Sequence, residues 1–342
     1  MKVAISIGSA ERRDVRELVD FILFAEKLGV DSAWSAEGWG TDALTALAYL
    51  APLTKSIKLG SGILQISARV PAMTAMSAMS LNTLCDGRFL LGLGASGPQV
   101  VEGIHGVSYR APLTRLKEHV EICRLAFAGE KLIYNGKHHT LPLPDGEGKA
   151  LRLNHEPAKI PIYLATISPK ALEFTGATAD GWLGTSFSPD RADAQLAHLK
   201  TGLEIAGRHI SEIDLQVACP AELDEDLHKL LEKRRTNIAF SMGAMGSEST
   251  NFYNQAYQRA GFADDAKAIQ SLWLAGKRDE AIKRVPDAMI TEFGAFGDEQ
   301  TIRERFKTYA AAGINTLQLR LDYAEDKRHF DQLEAMMSLL PE

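Results

Sequence analysis

The chain has 342 residues, of which 45% are hydrophobic and 24% charged, with a formal net charge of −6. That length suits two ordinary domains or one barrel of alternating strands and helices, and the apolar share is ample for a core. An acidic balance with mixed signs and no basic stripe argues against nucleic acid or an anionic membrane as the main partner, and leaves neutral or cationic small molecules open.

Short β-branched or apolar runs at Val3 to Ile7, Ser32 to Ser35, Ile57 to Ile63, Phe89 to Leu93, Ile162 to Ala165, Gly181 to Leu183, Leu215 to Cys219 and Thr316 to Leu319 read as about eight strands. Between the first two, Val15, Leu18, Val19, Ile22, Leu23 and Ala25 recur at helical spacing, and Gly29 supplies a stop. Eight strand-then-helix units imply an α/β protein of the closed parallel TIM (β/α)8 barrel class. Two segments break the rhythm. Lys131 to Ile160 holds the hairpin signal Asn135-Gly136, and about Thr236 to Phe293 is helical in pattern around SMGAMGSES. They read as insertions near 131–160 and 236–293 on a single domain spanning 1–342.

Cys85, Cys123 and Cys219 lack CxxC or Cys/His spacing, so neither a disulfide framework nor a metal site is expected. No signal-peptide pattern follows Met1 and no apolar run approaches a membrane span, which points to a soluble cytoplasmic protein.

In a barrel of this class the reactive groups follow the strands. After the second strand, SAWSAEGWGTDA brings the acids Glu37 and Asp42 together with Trp34 and Trp39, a flat wall or simply core. After the third, Gly60 and Gly62 alternate through a plain strand end or a binding bulge. After the fourth, Gly94-Ala95-Ser96-Gly97-Pro98 offers a hydroxyl and bare main chain to a planar ligand; as a plain cap, Ser96 would be the N-cap with Pro98 in the first turn. After the fifth, Thr166 and Ser168 precede Pro169 at a helix N-terminus, where a phosphate would be held or the helix merely capped.

Gly92, Gly94 and Gly97 spell GxGxxG, yet they follow the fourth strand, and the acid about twenty residues on, Glu118, falls inside a helical pattern, which disfavours a dinucleotide fold. GxSxG, HExxH and GxxxxGK[ST] are missing, and His138-His139 reads as solvent-facing rather than metal-binding.

From end to end the chain resembles the luciferase-like monooxygenase superfamily, and within it the oxidoreductases assigned to the deazaflavin coenzyme F420. The residues that carry this are AEGWGTDA at 36–43, LGSGILQISARVPAMTAM at 59–76, GRFLLGLGASGPQVVEGIHG at 87–106, PIYLATISPKALEFTGATADGWL at 161–183 and MGAMGSESTNFY at 242–253. The resemblance implies a bacterial luciferase-like TIM barrel with insertions, a homodimer, and F420, or alternatively FMN, across the C-terminal face. It also implies a non-proline cis peptide at Gly62-Ile63. By the same matching, Ser35, Gly62, Ile63, Leu64, Ser96, Gly97 and Gln99 would contact the cofactor, with Thr166, Ile167 and Ser168 at its phosphate. Glu37 is the expected proton donor or acceptor, and Trp39, Glu102 and Met242 are further candidates for contact with a small-molecule substrate. Sugar-phosphate dehydrogenases of the superfamily carry a histidine after the second strand and a glutamate after the fourth; Glu37-Gly38 and Ser96-Gly97 stand there in this chain, so their substrate is not implied. The expected activity is hydride transfer between the deazaflavin and an organic substrate. An FMN-dependent monooxygenase and a non-catalytic flavin- or deazaflavin-binding barrel stay open as alternatives.

Overall fold

Eight principal strands follow one another along the chain: β1 (Lys2–Ser6), β2 (Ser32–Ser35), β3 (Lys58–Ser61), β4 (Phe89–Gly94), β5 (Ile162–Leu164), β6 (Gly181–Gly184), β7 (Asp214–Leu223) and β8 (Thr316–Arg320). The computed structural model describes residues 1–7, 15–245, 251–322 and 328–341. It divides into two compact units, Ile7–Ala165 and Met1–Ser6 with Thr166–Glu342.

In the Ile7–Ala165 unit, β2 to β5 are parallel neighbours, with Ser32 opposite Lys58, Leu59 opposite Phe89 and Leu91 opposite Ile162. Strands buried on both faces need an almost unbroken apolar run, and every residue of β4, FLLGLG, is buried. Gly60 is fixed by close approach, since a Cβ there would meet the Trp34 ring at 2.4 Å. That ring is core, its Nε1 donating to Ser32 Oγ at 2.9 Å and its edge packing on Tyr163. Helix Val15–Lys27 buries Leu18, Phe21, Ile22 and Ala25, a 3.6-period stripe, and Gly29 follows at φ 83°.

The strand expected over Ile57 to Ile63 is interrupted. β3 stops at Ser61, and pairing with β4 resumes at Leu64–Gln65. The hairpin of the first insertion is present, Asn135 pairing antiparallel with Thr140, but it is wider than an Asn-Gly two-residue turn. The reason is the buried Glu118, whose carboxylate gathers the main-chain N–H groups of Lys137, His138 and His139. His139 is therefore not solvent-facing: its Nδ1 lies 3.1 Å from Glu118 Oε2.

In the other unit, β6, β7, β8 and β1 are parallel neighbours, so the first strand of the chain pairs with the last. An unexpected short strand, Ala295–Gly297, extends β7 at its C-terminal end. The excursion between β7 and that strand is helical, from Leu227–Gly243 to Ala288–Thr291. Its own core includes Met242, Ile269 and Met289 with Tyr257 stacked on Phe293 at 4.1 Å. Residues 246–249 of the SMGAMGSES stretch, and Thr250 after it, lie outside the described residues. Among the described residues no helix is long and apolar enough to cross a membrane.

Candidate functional site

The C-terminal ends of β2, β3 and β4 bring most of the expected cofactor residues into one place. The Gly62-Ile63 peptide is cis, as the resemblance implies. Gly62 N–H donates to Ser35 carbonyl at 2.6 Å and Glu37 N–H to Ile63 carbonyl at 3.3 Å, stitching the interruption of β3 to the residues after β2. Ser61 and Leu64 are buried on either side, whereas Ile63 is partly exposed. Its side chain lies against Gly94, where a Cβ would sit 3.1 Å away.

Ser96 is not the N-cap. It adopts φ 59°, and Gly97 caps the short helix Pro98–Val101 instead. The left-handed turn aims the Ser96 carbonyl at Tyr109, whose hydroxyl donates to it at 2.9 Å. Gln99 is exposed in the first turn of that helix. Glu102 closes the same loop, accepting from Tyr109 N–H at 3.0 Å. Trp39 is 65% exposed, while Met242 is fully buried in the helical excursion and offers no surface to a substrate.

Glu37, the expected proton donor or acceptor, is closely engaged by its surroundings. Its side chain is 7% exposed and takes Arg69 on both oxygens, Nη2 at 2.6 Å on Oε1 and Nη1 at 2.8 Å on Oε2. Gln65 N–H adds a third donor at 3.2 Å. A guanidinium fork on both oxygens fixes the orientation of this carboxylate. Gln65 Nε2 donates to the carbonyls of Glu37 and Gly38, which leaves its Oε1 to accept from His105 at 3.2 Å, so the imidazole carries hydrogen on Nε2. Sequence reasoning missed Arg69, His105 and Tyr109. Arg69 lies within a quoted motif, but its pairing spans thirty-two positions and leaves no periodic signal.

The turn after β5 belongs to the other unit. Thr166 is buried, with its hydroxyl 2.7 Å from that of Thr175 and its carbonyl accepting from Trp182 Nε1 at 3.0 Å. Ser168 is the N-cap of helix Pro169–Thr178, yet its side chain makes no capping bond. The Ile167 carbonyl accepts from Arg259 Nη2 at 3.0 Å, a contact from the helical excursion that no local pattern announces. Both turns are rich in main chain and short hydroxyl side chains, and among the described residues no His, Cys, Asp and Glu cluster is arranged to hold a metal.

The family model described as luciferase-like monooxygenase matches residues 2–316. The chain is 33% identical over 337 residues to a putative coenzyme F420-dependent oxidoreductase of Mycobacterium tuberculosis, covering 96% of this chain and 97% of that one. Among solved structures it is similar to the coenzyme F420-dependent tetrahydromethanopterin reductase of Methanopyrus kandleri, with TM-score 0.77, 21% identity, and coverage of 99% of this chain and 97% of that one. It is also similar to an F420-dependent secondary alcohol dehydrogenase in complex with an F420–acetone adduct, with TM-score 0.79, 17% identity, and coverage of 100% and 99%. The fold is accordingly the eight-stranded parallel TIM barrel expected from the strand pattern.

Proposed function

Because this chain belongs to the luciferase-like monooxygenase family, we propose that it is a coenzyme F420-dependent oxidoreductase acting on a small organic substrate. The observation that carries the reading is the break in β3, which holds an aliphatic side chain, Ile63, partly exposed beside bare main chain while its strand neighbours are buried. That is a surface suited to a flat ring. The F420-dependent relative at 33% identity supports the choice of cofactor.

When bound, a deazaflavin supplies two-electron hydride chemistry with little reactivity toward oxygen. The chain's own part is binding and orientation. Ser35, Gly62, Ile63 and Leu64 would back the ring, and Ser96, Gly97 and Gln99 would follow its edge. Thr166, Ile167 and Ser168 would take a phosphate, with the uncapped Ser168 hydroxyl and the helix N-terminus as donors. Glu37 is a positioning residue that fixes Gln65 and Arg69. Residues 1–342 are read as one domain with insertions near 131–160 and 236–293.

The family's own description, a monooxygenase, supports one second reading, which would use FMN. Titrating the full chain with F420 and with FMN by fluorescence quenching separates them. The expected result is F420 affinity higher by about tenfold or more. Preference for FMN, with oxygen consumed on reduction, would establish the second reading; binding of neither would refute both.

A homodimer is part of the proposal. It is supported by exposed apolar side chains on two segments that pack together, Tyr49 and Leu53 on one and Met73, Met76 and Leu84 on helix Pro71–Leu84. Sedimentation giving a monomer would refute it. Three buried free thiols support a cytoplasmic setting.

A further inference from the structure

A cavity of about 290 Å³ opens within the Ile7–Ala165 unit, under the Ile66 to Val70 turn and beside the start of helix Pro112–Phe127. Its lining is unusual for a chain of net charge −6. Arg69, Arg115, His119 and His139 face it, and no Asp or Glu stands among its lining residues. Two of these bases are already neutralised or neutral: Arg69 by Glu37, and His119 by burial, which pushes its pKa down to about 3 while Nε2 bonds Thr74 Oγ1. Arg115 is different. Its Nε donates to the Arg110 carbonyl, and among the described residues no carboxylate lies within ion-pair distance of it. His139 is held by its Nδ1 against the buried Glu118, which leaves Nε2 on the ring's other side.

One further observation points to the same sign of ligand. Helix Pro112–Phe127 begins at the cavity with Ala111 as N-cap, so its first-turn N–H groups have no side-chain acceptor. The rest of the wall is apolar, with Ile66, Val101, Val107 and Pro112. A volume near the lower end of small-ligand pockets, one cationic corner and an aliphatic wall fit a small organic anion with an apolar body.

We infer that this cavity binds a small amphipathic carboxylate, whose charge is met by Arg115 and whose body lies on the aliphatic wall. It borders the candidate site through Arg69 and Ala95. Assigning the bound carboxylate as substrate rests on the hydride-transfer reading above; the binding itself does not. The lone arginine and the uncapped helix start then share one partner, and the absence of wall carboxylates selects against cations.

The test uses the full chain with 2-naphthoate as the probe and 2-naphthamide as its uncharged counterpart, followed by calorimetry, with F420 titrated separately. The expected result is naphthoate binding about tenfold tighter than the amide, a loss of about tenfold or more in Arg115→Gln, and substantial recovery in Arg115→Lys. F420 affinity should be unchanged in both variants. Equal affinity for acid and amide, or naphthoate binding unaffected in a folded Arg115→Gln protein, would overturn the inference, as would no naphthoate binding to the wild-type chain. Naphthoate bound through Arg115 in a chain that does not bind F420 would leave the anion site standing and sink the cofactor reading instead.

Discussion

Two strand-to-helix turns of this chain look alike on paper and are built differently. Residues 62–70, after β3, and residues 166–168, after β5, each lead into a helix with proline at its first position. The first turn is held by charge: a nearly buried carboxylate, Glu37, clamps Arg69 and the Gln65 main chain. The second is held without a carboxylate, by a hydroxyl pair between Thr166 and Thr175, the Trp182 indole on one carbonyl and the Arg259 guanidinium on another. An ion-pair clamp fixes side chains that border a site; a turn without a carboxylate leaves the adjoining N-cap hydroxyl and N–H groups open to an anion.

The contrast breaks most visibly at Glu37. Replacing it with alanine strands a largely buried guanidinium, and a loss of about 3 kcal/mol in unfolding free energy is expected by urea denaturation. F420 affinity should fall with it, and a Glu37→Ala protein of wild-type stability would refute the clamp. The turn without a carboxylate should cost less. Thr166→Val removes one buried hydroxyl bond and is expected to lose about 1 kcal/mol in the same measurement.

Acid should also separate the two regions. Asp42 caps helix Ala43–Leu50 just after Glu37; burial works to raise its pKa, but bonds from Thr45 and Leu44 and the nearby Arg69 hold it below the ordinary carboxylate range. A carboxyl depressed in the folded state contributes stability above its unfolded pKa and loses it as pH falls through the folded value. Stability should therefore decline below about pH 4, and less steeply in Asp42→Asn than in the wild type. The smallest stability effect is expected at Ser168. Because its side chain makes no capping bond, Ser168→Ala should change stability by less than about 0.5 kcal/mol. Its F420 affinity should nevertheless drop; unchanged affinity would remove Ser168 from the proposed phosphate turn.

Much of this was legible in residue patterns. All eight principal strands lie where period and composition put them, because strands buried on both faces must be written as apolar runs, and the resemblance located the Gly62-Ile63 cis peptide. What was lost is chiefly long-range. The Arg69 fork on Glu37 leaves no local pattern, and the Asn135-Gly136 hairpin reads as tight until Glu118, from another helix, gathers its main chain. Ser96 failed for a local reason: Ser-Gly-Pro allows either residue before the proline to cap, and the left-handed Ser96 left Gly97 in the extended cap conformation.

The most direct measurement is a crystal structure of the chain soaked with coenzyme F420. The account predicts the deazaflavin ring resting on Ile63 and along the Ser96-Gly97 main chain, with the Glu37–Arg69 pair intact beside it. Clear density for the ring elsewhere on the molecule, or an empty Ile63 surface at saturating F420, would contradict it.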